Sequence, residues 1–164
     1  MKTLVIVRHA KSSWDNPGLS DHQRPLSKRG LKDAPLMGAR LAESGPPVDR
    51  VISSSATRAL TTAELVTHEM GLPWDEIQIE DALYHATEED MIDLINEQDD
   101  YLDGLMLFGH NPGMTYLVND LSDLDLDNLP TCGVAVLQFD VNSWSEIGDE
   151  IALAAEIDYP KKDR

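Results

Sequence analysis

The sequence is poor in the features that mark secreted, membrane-bound and disulfide-rich proteins. A single cysteine, Cys132, excludes an internal disulfide framework and fits a reducing compartment. No apolar run approaches the roughly 18 residues that a membrane-spanning helix needs, and the start of the chain lacks the pattern of a signal peptide. We therefore expect one soluble, cytoplasmic domain that spans residues 1–164.

Positive charge is also scarce, and it is unevenly distributed. Thirteen Lys and Arg stand against thirty Asp and Glu, which gives a net charge of −17, and residues 59–160 contain no Lys or Arg. Nucleic acids and anionic membranes bind to cationic patches, so we expect neither as a partner. Any anion site that is built from Lys or Arg must use the first 58 residues or the last four.

Apolar runs of strand length alternate with helical patterns along the chain. The runs predict strands at 3–7, 48–53, 104–108, 134–139 and 151–157, with a weaker candidate at 77–79. Helices are expected over about 27–44, 56–70, 87–96 and 112–121, with Pro35 kinking or splitting the first. The expected helix N-caps include Ser54 or Ser55, Thr87 and Asn111. This alternation predicts the α/β class, as a three-layer α/β/α sandwich with a mostly parallel central sheet.

Four side chains suited to phosphate chemistry follow the predicted strands. Arg8 and His9 come after the first strand, Arg58 after the second and His110 after the third clear one. Ligands of open parallel sheets bind beyond the carboxyl ends of the strands, so these side chains can converge. Guanidinium groups match phosphate oxygens, a neutral histidine can attack phosphorus, and a second histidine, held cationic, can stabilise the transferring group. The pattern indicates phosphoryl transfer through a phosphohistidine, with neither a metal nor a cofactor.

Four short motifs in this order resemble those of the histidine phosphatase (phosphoglycerate mutase-like) superfamily. They are Arg8-His9-Ala10, Arg24-Pro25-Leu26-Ser27, Ser53-Ser54-x-x-x-Arg58-Ala59 and Gly109-His110-Asn111-Pro112. The small size, the alanine of the first motif and the His-Asn-Pro-Gly turn are most similar to the SixA-type phosphohistidine phosphatases. The resemblance implies a phosphoglycerate mutase-like fold, His9 as the nucleophile, and a phosphate pocket of Arg8, Arg58 and His110.

The resemblance leaves the other site residues less defined. Arg24 would be an auxiliary phosphate contact, and Lys11 and Asn111 would add to phosphate binding. Larger relatives use a carboxylic acid to protonate the leaving group, and Asp81 or Glu80 could fill that role here. A phosphohistidine substrate lessens the need for such an acid, because its nitrogen leaving group can leave already protonated.

The spacing of the motifs bears on the substrate. Arg58 and His110 lie only 52 positions apart, which leaves little room for a large cap insertion over the site. An open site can admit a protein surface, so we expect a phosphorylated protein as the substrate. The alternatives are a small-molecule phosphomonoesterase of the same superfamily, which acts on a small phosphoester, and a non-catalytic module that binds phosphate or phosphopeptides.

Overall fold

Six strands form one mixed sheet in the computed structural model, which describes residues 1–162. In chain order the strands are β1 (Lys2–Arg8), β2 (Arg50–Ser53), β3 (Gln78–Ile79), β4 (Gly104–Gly109), β5 (Val134–Phe139) and β6 (Ala154–Asp158). Their spatial order is β3-β2-β4-β1-β5-β6. The four strands from β3 to β1 are parallel to one another, whereas β5 and β6 pair antiparallel. The predicted mostly parallel sheet is confirmed.

The helices cover both faces of this sheet. They are α1 (Lys28–Ser44), α2 (Thr57–Glu69), α3 (Glu88–Asn96) and α4 (Gly113–Leu121). Alternate residues of β1 divide between the two faces: Leu4 and Ile6 join the core under α3 and α4, and Val5 and Val7 join the core under α1 and α2. All four side chains are fully buried, and each such burial contributes about 1.5–3 kcal/mol. The predicted α/β/α sandwich is therefore confirmed.

Helix α1 runs unbroken through Pro35, so the expectation that this proline splits off the first turn is wrong. The helix begins with the Ser27 hydroxyl accepting the Gly30 N–H and ends at Gly45 in the left-handed conformation. Proline removes only one N–H from the ladder, and the buried side chains of Met37 and Leu41 hold the surrounding turns against the sheet. Tertiary packing outweighs this local cost.

Two expected helix caps are displaced. The N-cap of α2 is Ala56, whose N–H donates to the Ser54 hydroxyl, and α4 begins one residue later than expected, after Pro112. Asn111 is therefore not the N-cap residue, but its side-chain oxygen still accepts the N–H and the hydroxyl of Thr115 in the first turn of α4. Thr87 caps α3 as expected, by accepting the Asp90 N–H.

Two strands start later than predicted. β2 and β6 begin two and three residues after the starts of the apolar runs.

The chain has no room for a large insertion above the sheet. The segment between the first turn of α2 and the end of β4 holds only α2, β3, α3, β4 and short 3-10 turns. Among residues 1–162, none of the helices has the length and apolar character needed to cross a bilayer.

Candidate active site

The sheet topology brings the ends of three parallel strands together. β1 and β4 are neighbours with Arg8 opposite Gly109, so His9 and His110 leave the sheet side by side. Their ring centroids are 5.2 Å apart. β2 flanks β4 on the other side, and the loop after it places Arg58 in the first turn of α2. The four side chains singled out from the sequence therefore surround one crevice.

His9 forms the floor of this crevice and is only 8% exposed. Its Nδ1 lies 2.7 Å from the carbonyl oxygen of Ala10, an acceptor, so Nδ1 carries the hydrogen and Nε2 keeps its lone pair. The Ala10 N–H donates to the Thr62 hydroxyl, which fixes the backbone beside the ring. Burial lowers the pKa of His9 to about 4, and the positive charge of Arg58 acts in the same direction. The imidazole is therefore neutral and ready to attack at neutral pH.

The surroundings of His110 in the folded chain favour the neutral ring. The expected cationic form of this second histidine, beside a transferring phosphoryl group, stays a prediction. Burial lowers the pKa of His110 to about 3, and the neighbouring His9 and Arg58 lower it further. Its Nε2 lies 2.8 Å from the hydroxyl oxygen of Ser54, and that hydroxyl already accepts the Ala56 N–H. The hydroxyl hydrogen can then go to Nε2, which leaves the ring hydrogen on Nδ1.

Two buried nitrogens beside His9 have no hydrogen-bond partner. They are Nε of Arg8 and Nδ1 of His110, and among residues 1–162 no other fully buried side-chain nitrogen or oxygen is unpartnered. One other nitrogen of Arg8 donates to the carbonyl of Leu129 at 3.0 Å, and burial lowers the pKa of this guanidinium. Buried polar groups are almost always paired, so two orphan donors at one place indicate a site for an acceptor that bears negative charge.

Arg24 lies beside the crevice in a tightly held position. Its Nε donates to the Ser13 carbonyl at 3.1 Å, and its two terminal nitrogens donate to the Ser12 hydroxyl at 2.6 Å and the Asp21 carboxylate at 3.1 Å. The indole ring of Trp14, 77% exposed, stacks on the guanidinium. These contacts keep a buried positive charge close to His9.

Asp21 is the residue that sequence reasoning missed. Its carbonyl oxygen accepts from Arg58 at 2.7 Å, and its carboxylate accepts from Arg58 at 3.0 Å and from the Tyr84 hydroxyl at 2.5 Å. The Tyr84 hydroxyl first, and then the two arginines, hold the pKa of Asp21 well below its usual range. The only sequence signal was its position three residues before Arg24, which predicts an ion pair but not a place in the site.

The remaining predicted residues are placed elsewhere or are already engaged. The amide nitrogen of Asn111 donates to Asn128 and to the Leu129 carbonyl, the same carbonyl that accepts from Arg8. Asn111 is thus placed to position Arg8. The carbonyl of Lys11 accepts from Ser27, and its exposed side chain lines a separate hollow with residues that include Arg29, Asp33 and Lys161.

Neither expected general acid is the carboxylate that meets the arginines. Asp81 is exposed in a 3-10 turn, and Glu80 lines a hollow that it shares with Asp90, Asp93 and Glu97. The carboxylate in contact with Arg24 and Arg58 is Asp21.

The depressed pKa of His9 gives a direct test of this geometry. Because the neutral form persists until the pH falls to about 4, the His9 ring resonance should titrate with a midpoint near 4 rather than 6.5. The measurement is an NMR pH titration, with the signal assigned by its loss in His9→Asn. Titration of His9 itself should not change the rate of phosphoryl transfer to this residue between about pH 8 and about pH 5, which is measured with a substrate whose own protonation is constant over that range. A midpoint at or above the ordinary value would contradict the buried, arginine-flanked ring.

Known proteins are similar to this chain in sequence and in fold. The profile of the histidine phosphatase superfamily (branch 1) matches residues 4–86, which include His9, Arg24 and Arg58. The chain belongs to the histidine phosphatase superfamily. Membership of this superfamily supports a phosphatase activity, that is, a hydrolase that acts on phosphorylated substrates.

Its relatives include a bacterial protein of similar length. This chain is 32% identical to an uncharacterized protein of Mycobacterium tuberculosis over 151 residues, which cover 86% of this chain and 91% of that protein. It superposes on the structure assigned as phosphohistidine phosphatase SixA from Agrobacterium tumefaciens with a TM-score of 0.76 and 28% identity, over 85% of this chain and 92% of that one. A second structure assigned as SixA, from Nakamurella multipartitia, superposes with a TM-score of 0.81 and 22% identity, over 98% of this chain and 97% of that one. This similarity shows a shared fold.

Proposed function

We propose that this histidine phosphatase removes the phosphoryl group from phosphohistidine on a protein, through a covalent phosphohistidine at His9. The observation that carries the proposal is the pair of unpartnered buried nitrogens, on Arg8 and His110, in the two residues that neighbour His9 in the chain and across the crevice. A phosphoryl group at this point would give both donors an acceptor and place phosphorus within reach of the nucleophile.

The first step exchanges one imidazole for another. The lone pair of His9 Nε2 forms a bond to phosphorus, the P–N bond of the substrate breaks, and its electron pair returns to the substrate ring. A substrate ring that is protonated on its distal nitrogen then leaves as neutral imidazole. His9, with its Nδ1 hydrogen held by the Ala10 carbonyl, becomes the cationic phosphohistidine. Charge and atoms balance with no proton donor.

The second step is hydrolysis of the phosphoenzyme. Water attacks phosphorus, the bond to Nε2 of His9 breaks, and the electron pair returns to Nε2. Both hydrogens of the water stay on the product, dihydrogen phosphate, and His9 is again neutral. Arg8, Arg58 and Arg24 lie around the phosphoryl oxygens in this proposal, so they would stabilise the charge that spreads over these oxygens in both transition states.

The state of Asp21 favours a nitrogen leaving group. An ordinary phosphoester leaves as an alkoxide, which needs a proton at the moment of cleavage. The carboxyl group that contacts the arginines is held ionised by Tyr84 and those arginines, so it has no proton to give. A protonated phosphohistidine needs none.

The open surroundings of the site favour a protein substrate. No large insertion covers the crevice, and Trp14 stands exposed beside Arg24 at its edge. Exposed aromatic side chains are common anchors in protein interfaces. The structural neighbours assigned as phosphohistidine phosphatases support the same substrate class. The proposal also includes a cytoplasmic location for the protein.

Incubation with a phosphohistidine-bearing protein and, separately, with small phosphomonoesters tests the proposal. We expect the phosphoprotein to be dephosphorylated with the higher kcat/KM, and EDTA to leave the rate unchanged because arginines and histidines do the electrostatic work. Efficient turnover of the small esters alone would support the phosphomonoesterase instead. Phosphate binding with no turnover of any substrate would support a non-catalytic binding module.

A further inference from the structure

Asp21 stands at the mouth of the crevice rather than at its floor. It begins a 3-10 turn (Asp21–Gln23) between β1 and α1, and its side chain is 51% exposed, whereas His9 is 8% exposed. It is close enough to His110 for its charge to act on that ring. The site therefore opens to solvent on the side where Asp21 places a negative charge.

In-line transfer directs the leaving group toward this mouth. The attacking and leaving atoms lie on opposite sides of phosphorus, so a phosphoryl group attacked by His9 from the floor holds its leaving group toward the opening. Asp21 and Tyr84 border that opening and are joined by a hydrogen bond of 2.5 Å. In such a complex the carboxylate of Asp21 would lie on the same side of phosphorus as the leaving group.

Such a charge distinguishes two kinds of substrate. The ring of protonated phosphohistidine is a cation until the P–N bond breaks, whereas the leaving group of a phosphoester carries no positive charge. We infer, resting on the proposed function, that Asp21 is a specificity-determining residue that selects substrates with a cationic leaving group and disfavours phosphoesters. Because the positive charge moves from the substrate ring to His9 during transfer, Asp21 acts mainly on substrate binding, and hence on KM.

A purely structural role for Asp21 would be to position Arg58, and the two roles can be separated. The main-chain carbonyl of Asp21 already accepts from Arg58 at 2.7 Å, and a side-chain substitution leaves that contact in place. In Asp21→Asn the amide oxygen can replace Oδ2 and accept from Arg58 and Tyr84. The amide nitrogen then replaces the oxygen that accepts from Arg24, and that arginine keeps its bonds to Ser12 and Ser13. The variant thus removes the charge and keeps most of the geometry.

The experiment compares N-phosphorylimidazole, a P–N substrate, with p-nitrophenyl phosphate, a phosphoester. For Asp21→Asn we expect KM for N-phosphorylimidazole to rise about tenfold with kcat within about twofold, since one charge contact is lost. KM for the ester should not rise, because its leaving group carries no positive charge for the carboxylate to bind. The ratio of the two kcat/KM values therefore shifts by about tenfold.

Two further variants sharpen the result. Asp15→Asn, an exposed acid in the same connection, should leave the ratio unchanged. Tyr84→Phe removes a hydrogen bond but keeps the carboxylate, so it should retain most of the selectivity. The inference is overturned if Asp21→Asn lowers both kcat/KM values alike, as a role confined to Arg58 predicts, or if it changes neither. Wild-type protein that is inert toward N-phosphorylimidazole contradicts the proposed function itself.

Discussion

Replacement of His9 by alanine is expected to lower kcat by at least about 10⁴-fold, because it removes the atom that accepts the phosphoryl group. The residual rate would come from the arginines alone, acting on direct attack by water. The measurement is steady-state turnover of a phosphohistidine-bearing protein. Rapid quenching with ³²P-labelled substrate should trap acid-labile phosphate on the wild-type protein and none on His9→Ala.

The design of that test also separates an enzyme from a binding module. His9→Ala should still bind orthophosphate, because Arg8, Arg58 and His110 remain in place. His68→Ala, which changes an exposed histidine on α2, is the matched control and should keep full activity. Unchanged turnover in His9→Ala, or labelled phosphate that persists on it, would show that another residue carries the phosphoryl group.

The fold was predictable where a local pattern decides the structure. The continuous apolar run at 3–7 predicts a strand that is buried on both faces, and Leu4 and Val5 indeed lie in the two different cores. The last strand was less predictable, because its start depends on pairing. Ile151 and Leu153 extend the apolar run but are exposed, and pairing with β5 begins at Ala154.

The candidate site was also predictable only in part. The sequence predicts that Arg8, His9 and His110 lie close together, because each follows a strand and parallel strands end at one edge of the sheet. It does not predict that Asp21 joins them, since its partners Arg58 and Tyr84 lie 37 and 63 residues away along the chain. The lowered pKa of His110 could not be predicted from the sequence either, because its main cause is the burial of the ring in the folded chain, with the charge of Arg58 acting in the same direction.

Arg8→Met is expected to separate activity from stability. Arg8 holds a buried nitrogen with no partner, and burial lowers the pKa of its guanidinium, so the charge is costly to the folded state without a bound anion. Methionine keeps much of the side-chain volume and removes that charge. We expect kcat/KM to fall by about 10²–10³-fold, whereas Tm stays level or rises by a few degrees.

Arg40→Met is the matched control, since this arginine on α1 is fully engaged away from the site. It forms an ion pair with Asp158 at 3.3 Å and donates to the carbonyls of Tyr159 and Pro160. Its replacement should cost about 1–2 kcal/mol in the free energy of unfolding and leave kcat/KM unchanged. Thermal unfolding and kinetics on both variants measure the contrast. If Arg8→Met lost as much stability as Arg40→Met and kept its activity, Arg8 would be structural and the orphan donor would not mark a phosphate site.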